Sequence, residues 1–195
     1  MPTVHHSNSR HKDVRGLNPQ WRAQKSKGAT GTAEVKRELL PFNSNGILKR
    51  GIHTITWEEF NNQFGYNEQR RKLLRGLLRG IRLLQRVGCH AIYIGGSFVT
   101  TKKFPEDVDV VWESSDMSFE RVRRVSPIFF EMTPGSPEQK ARFNSEFYPS
   151  EGKESISGLS FLAFFQRDWR EGRRRGIIRI DITFIPSSRS QKEIH

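Results

Sequence analysis

The chain has 195 residues with 33 Lys and Arg against 21 Asp and Glu, a formal net charge of +12 and an isoelectric point near 10.3. That length suits one domain with one core, and a positive surplus this large points to a polyanionic partner, nucleic acid first. The lone Cys89 excludes an intramolecular disulfide, no apolar run approaches the roughly 20 residues that span a bilayer, and the start lacks a secretory apolar core. A cytoplasmic protein without membrane contact is expected.

Residues 1–40 are rich in Ser, Asn, Gly, Thr, Lys and Arg and poor in apolar residues. They are expected to form a disordered basic tail, with a folded domain over 41–187 and a polar C-terminal tail over 188–195. His5, His6 and His11 lack flanking ligands and belong to that tail rather than to a metal site.

Thr56-Trp57-Glu58-Glu59 has the form of a capping box, and Trp57, Phe60 and Phe64 recur at helical spacing before Gly65. Asn67 then caps a longer helix over about 68–87, closed by Gly88, with Leu73, Leu74, Leu77, Ile81 and Leu84 as its apolar stripe. Gly76 and Gly80 weaken this helix and suggest close packing. Arg71, Arg75, Arg79, Arg82 and Arg86 form the opposite stripe, where only Glu68 is acidic, so the stripe is a candidate nucleic-acid contact as well as a solvated face. Cys89 reads as a small core residue before the buried strand Ala91-Ile92-Tyr93-Ile94.

Further on, short helices are expected over 118–125 and from Ser136-Pro137 to about Phe147, and a buried helix over Leu159–Phe165. Arg173-Arg174-Arg175 falls in a loop. In Ile178-Arg179-Ile180-Asp181-Ile182-Thr183-Phe184 the alternation turns Ile178, Ile180, Ile182 and Phe184 to a core and Asp181 away from it. The order of elements suits an α+β domain, a mixed β-sheet with helices packed on it.

The most informative stretch is Ile94-Gly95-Gly96-Ser97 followed by Asp107-Val108-Asp109-Val110. A glycine turn after a buried strand frees amides and a hydroxyl for a phosphate, and the following segment is expected to begin helical. The period of two places Asp107 and Asp109 on one strand face, where two carboxylates can share a divalent ion. Alone, the first half is an ordinary turn and the second a solvated edge. Their order and spacing together resemble the signature of the DNA polymerase beta-type nucleotidyltransferase superfamily.

A narrower set of small bacterial proteins of unknown role with a nucleotidyltransferase-like core is resembled over most of residues 41–185. The resembling segments are Pro41–Leu48, Gly51-Ile52-His53, Thr56–Phe60, the glycine-carboxylate motif, Phe164–Asp168 and Gly176-Ile177-Ile178. The superfamily resemblance implies a minimal nucleotidyltransferase fold that moves a nucleoside monophosphate from a nucleoside triphosphate, such as ATP, to an acceptor hydroxyl. Asp107, Asp109 and Asp181 would be the catalytic carboxylates holding Mg2+ or Mn2+. Gly95, Gly96 and Ser97 would hold the triphosphate, with Lys102 and Lys103 close enough in sequence to neutralise it.

Little chain follows Asp181, so the base pocket is expected from the helices around 118–165, from a second copy of the chain as a homodimer, or from a protein partner. The acceptor is expected to be RNA, such as a transfer RNA end, or a protein side chain; a toxin-antitoxin or defence setting is analogy. Two alternatives stand beside this reading: a non-catalytic RNA- or toxin-binding module on the same fold, and a small-molecule nucleotidyltransferase. The basic composition disfavours the latter, which usually needs an acidic acceptor pocket.

Overall fold

The computed structural model describes residues 40–131, 133–168 and 172–186. The two expected tails therefore lie almost wholly outside the described residues. Leu40 is the exception: it is partly buried and packs against the main core.

The expected capping box is present at Thr56: its hydroxyl accepts from the Glu59 amide at 3.1 Å, and Glu59 Oε2 accepts from the Thr56 amide at 2.9 Å. It starts α1 (Trp57–Phe64), and Asn67 caps α2 (Glu68–Arg86) with its side-chain oxygen accepting from the Arg70 amide at 2.8 Å. The apolar stripe of α2 is buried as its spacing requires. Gly76 and Gly80 permit its close packing, since a side-chain carbon at Gly76 would overlap the Phe143 carbonyl and one at Gly80 the Phe147 ring.

Five strands form one mixed sheet. They are β1 (Gly51–Thr54), β2 (Ala91–Ile94), β3 (Val108–Trp112), β4 (Ser145–Pro149) and β7 (Gly176–Asp181), in the order β1-β7-β2-β3-β4. Strands β1 and β7 are parallel, as are β3 and β4, while β2 runs antiparallel to both its neighbours. The starts of β1, β7, β3 and β4 therefore meet the end of β2 at one edge of the sheet. One face, with Ile92, Ile94, Val110, Trp112, Phe147, Ile178 and Ile180, is buried under α1, α2, α3 (Phe119–Val125) and α4 (Pro137–Phe143). The other face carries Tyr93, Val111 and Ile177 beneath the short α5 (Phe161–Phe165). A two-stranded ribbon, β5 (Arg167–Asp168) and β6 (Arg173–Arg174), precedes β7.

The α+β class and the mixed sheet are as expected, and several boundaries are not. The helix expected to reach Phe147 stops at Phe143, because Asn144 takes a left-handed conformation (φ 52°) and sends the chain into β4. The segment around α5 is half-buried rather than buried, since it lies on the more open face. Phe184 is 85% exposed, because β7 ends at Asp181 and the alternation lapses into a turn. The helical segment after Ser97 is a single 3-10 turn, Ser97–Val99. Cys89 is buried as expected, and burial holds its thiol up at about 12, far from a reactive thiolate.

Candidate active site

The glycine turn and the first carboxylates meet as the sequence suggests. The Gly95 amide donates to the Asp109 carbonyl at 3.0 Å, continuing the β2–β3 ladder past Ile94. Gly96 has φ +64°, and a side-chain carbon there would fall on Asp109 Oδ2. Only glycine satisfies both conditions. Ser97 then opens the 3-10 turn; its carbonyl accepts from Thr100, and its partly exposed hydroxyl has no protein partner among the described residues.

The loop that follows is held from beneath by Arg70, which is fully buried. Its guanidinium donates to the carbonyls of Phe98 (2.9 Å), Thr100 (3.2 Å), Lys102 (2.7 Å) and Phe64 (3.4 Å). It also lies 4.7 Å from the Phe98 ring and 4.8 Å from the Tyr66 ring, a cation-π arrangement. Arg70 thus positions the backbone from Phe98 to Lys102, between the glycine turn and the first aspartate. Sequence reasoning passed over it, although its spacing to Leu73, Leu74 and Leu77 puts it on the apolar face of α2 rather than on the arginine stripe.

The carboxylate that stands beside Asp109 is Glu146, and Asp181 lies apart from both. In the parallel pair β3–β4, Asp109 stands in register with Glu146, and both project from the face opposite the four-helix layer. Asp181 is opposite Ala91 at the far end of β2, whereas Asp109 lies beyond Ile94, and β2 separates β7 from β3. About four residues along the strands and two strand spacings across put Asp181 roughly 15 Å from Asp109. Asp181 instead accepts from the Thr183 amide at 2.9 Å, which holds its carboxyl below the usual range, and lines a separate hollow with Trp57, Phe184 and Ile185. Glu146 escaped the sequence reading because the α4 helix was extended through it. The missed signal was the Asn144 helix stop before the alternating Ser145-Glu146-Phe147-Tyr148.

Two cations answer the three acids. Lys140 of α4 places Nζ 2.8 Å from Asp107 Oδ2 and 3.4 Å from Glu146 Oε2. Arg175 donates to the Gly96 carbonyl from the start of β7, close enough to Asp109 to act on its charge. Even so, burial first, and then the negative charges of Asp107 and Glu146, push the Asp109 carboxyl up to about 7. Burial together with the charges of Glu146 and Asp109 also raises the Tyr148 phenol, whose ring packs 4.6 Å from Phe161 and 5.3 Å from Phe165.

The lysines expected at the phosphate are engaged elsewhere. Lys102 lies 3.7 Å from Glu106, and the Lys103 ammonium sits 5.2 Å above the Phe104 ring. The arginine stripe is not at this site either, for α2 covers the opposite face of the sheet. Arg71 and Arg75 pair with Glu68 at 3.2 and 2.8 Å, Arg79 donates to the Arg142 carbonyl at 2.8 Å, Arg82 is half-buried and Arg86 is exposed in the last turn.

Asp107, Asp109 and Glu146 form an oxygen-only donor set, which suits a hard divalent cation such as Mg2+. As arranged, no three His, Cys, Asp or Glu side chains among the described residues converge tightly enough to hold a metal, and Lys140 pairs with both Asp107 and Glu146. Among the same residues no helix is long and apolar enough to cross a membrane.

No curated protein and no solved structure matches the chain. A family model described as a family of unknown function, DUF6932, matches residues 40–181, which is most of the chain and includes every strand of the sheet and all three carboxylates. The chain belongs to that family.

Proposed function

We propose that the protein is a metal-dependent nucleotidyltransferase whose carboxylates are Asp107, Asp109 and Glu146. The observation that carries this reading is the seating of Asp109 between Gly96 and Glu146: a glycine turn on one side and a second in-register acid on the other. The free Ser97 hydroxyl beside the turn supports it.

On this reading the triphosphate lies at Gly96 and Ser97, and the acceptor hydroxyl enters from the β4 side, beyond Asp109. The acceptor oxygen bonds to the α-phosphorus, the bond to the bridging oxygen breaks, pyrophosphate leaves, and the hydroxyl proton passes to a carboxylate oxygen. Divalent ions held by the three acids would neutralise the charge that builds on both oxygens. Asp109, already poised near neutrality by crowding and burial, gains most from an added cation. Lys140 would have to withdraw from the acids as a metal enters. The basic composition favours a nucleic-acid acceptor, RNA first, and the single buried cysteine fits a reducing, cytoplasmic setting.

Lys140 also supports a second reading. A lysine that satisfies Asp107 and Glu146 permanently would leave a binding module that keeps the fold without the chemistry. Incubating the protein with each labelled nucleoside triphosphate, Mg2+ and total cell extract separates the two. Label transferred to RNA or protein by the wild type, and not by Asp109→Asn, supports the enzyme. Absence of transfer with every triphosphate while RNA is still bound supports the module.

A further inference from the structure

The parallel pairing of β1 with β7 has an electrostatic consequence. Its register sets Gly51 opposite Gly176, so the residues just before each strand lie side by side at one end of the sheet. Those residues are Lys49-Arg50 and Arg173-Arg174-Arg175. Together they line a recess of about 180 Å3 in which five side chains are cationic and one, Asp168, is acidic. Its floor is firm: the Gly176 amide donates to the Leu48 carbonyl at 2.8 Å, and a side-chain carbon at Gly176 would clash with the Lys49 carbonyl.

Two further features suit an anion. Asn43 lines the recess, and its carboxamide oxygen is occupied by the amides of Asn45 (3.0 Å) and Ile47 (2.9 Å), so its NH2 donor is what it has to offer. Arg175 is partly buried, and its Nε is enclosed without a hydrogen-bond partner. A buried guanidinium N–H without an acceptor is unfavourable, and so is a concave cluster of like charges. An anion in the recess relieves the second, since Asp168 is the one acid against five cations there.

We propose that this recess is a phosphate-binding site. Its volume is below the roughly 300 Å3 at which pockets begin to enclose whole small molecules, so it takes one or two phosphate groups rather than a nucleobase with its sugar. Arg175 forms part of the recess wall and donates to the Gly96 carbonyl, so the phosphate is bound next to the glycine turn. The phosphate comes either from a polyphosphate tail or from a nucleic-acid backbone. Recognition by Arg and Lys is the same for both, and it requires no metal and no transfer chemistry.

The test is binding by the full chain in EDTA, with tripolyphosphate and a 12-nucleotide single-stranded RNA bearing a 5′ hydroxyl as separate probes. Arg173→Gln/Arg174→Gln removes two exposed recess cations, and Arg123→Gln/Arg124→Gln on α3 removes the same charge at exposed positions outside it. The recess variant is expected to bind at least tenfold more weakly while the α3 variant changes less than twofold. Loss of both probes in the recess variant assigns the site to phosphate in general, and loss of RNA alone assigns it to a nucleic-acid backbone. If Arg173→Gln/Arg174→Gln lowers the melting temperature, Lys49→Gln/Arg50→Gln reads the same recess from its other wall. Equal losses in recess and α3 variants, or a wild type that binds neither probe, overturn the proposal.

Discussion

Replacing Asp109 by Asn should stabilise the metal-free protein, by an amount that grows as pH rises and is complete above about pH 7. The Asp109 carboxyl rises from its ordinary 3.8 to about 7 on folding, so between those values the folded state holds a proton that the unfolded chain has lost. Stability therefore falls as pH climbs from about 4 to 7, and the full cost is present above 7. At 1.36 kcal/mol per pH unit, that difference has an upper bound of about 4 kcal/mol. The amide keeps the shape but loses a charged acceptor, which returns about 1 kcal/mol, so a net gain of about 2 to 3 kcal/mol is expected at pH 8. For a chain of this size that is a melting temperature higher by about 4 to 12 °C. Thermal and urea unfolding of both proteins in EDTA at pH 5 and pH 8 measures it. At pH 5 the gain should shrink to a small part of its pH 8 value, because wild-type Asp109 is then largely protonated. Equal gains at the two pH values, or a loss at pH 8, would refute the idea that Asp109 is a crowded, charge-starved carboxylate.

Glu146→Gln should abolish transfer activity by at least a hundredfold, whereas Asp181→Asn should stay within about twofold; the reverse ranking in a single-turnover assay would return the third carboxylate to β7. Lys140→Met should lower metal-free stability by up to about 1 kcal/mol, because it strips an ammonium from Asp107 and Glu146, yet enlarge the rise in melting temperature that Mg2+ produces. A Mg2+ response that is unchanged or smaller than in the wild type would show that Lys140 and the metal do not compete. Arg70→Leu should cost about 3 to 5 kcal/mol in urea unfolding, since it strands carbonyls beneath the Ser97–Lys102 loop, while Arg71→Leu one position away should stay within about 0.5 kcal/mol.

These contrasts mark how far the sequence carries. Strand faces were legible because a period of two is local: Asp107 and Asp109 share a side, and Ile178, Ile180 and Ile182 are buried opposite Asp181. Helix starts were legible because Thr56, Asn67 and Ser118 cap their own chains within three residues. What failed depended on distant pairing. The alternation in 178–184 places Asp181 on the same face as Asp109, but only the strand order shows that β2 separates them. Glu146 was hidden by one residue, since the expected helix ran past the left-handed Asn144 that ends it. The five-arginine stripe has the pattern of a polyanion surface, yet two of its members are drawn to Glu68 and a third to the Arg142 carbonyl.

The sheet topology also gives the site a direction that no single motif contains. Because β1, β7, β3 and β4 start where β2 ends, Lys49, Arg50 and Arg173–Arg175 share one sheet end with Gly96, Asp107, Asp109 and Glu146. Across that end the order is cations before β1 and β7, then the glycine turn after β2, then acids on β3 and β4. On the proposed function, a phosphate chain laid along it would meet arginines at one side and carboxylates at the other, so its anionic tail would lie in the basic recess and its reacting phosphate at the acids. Arg175, which touches the turn and the recess together, is the residue through which the two halves are aligned. Such polarity comes from strand order acting on charges scattered over some 130 residues of sequence, which is why the basic clusters at 49–50 and 173–175 look like unrelated loops until the strands between them are paired.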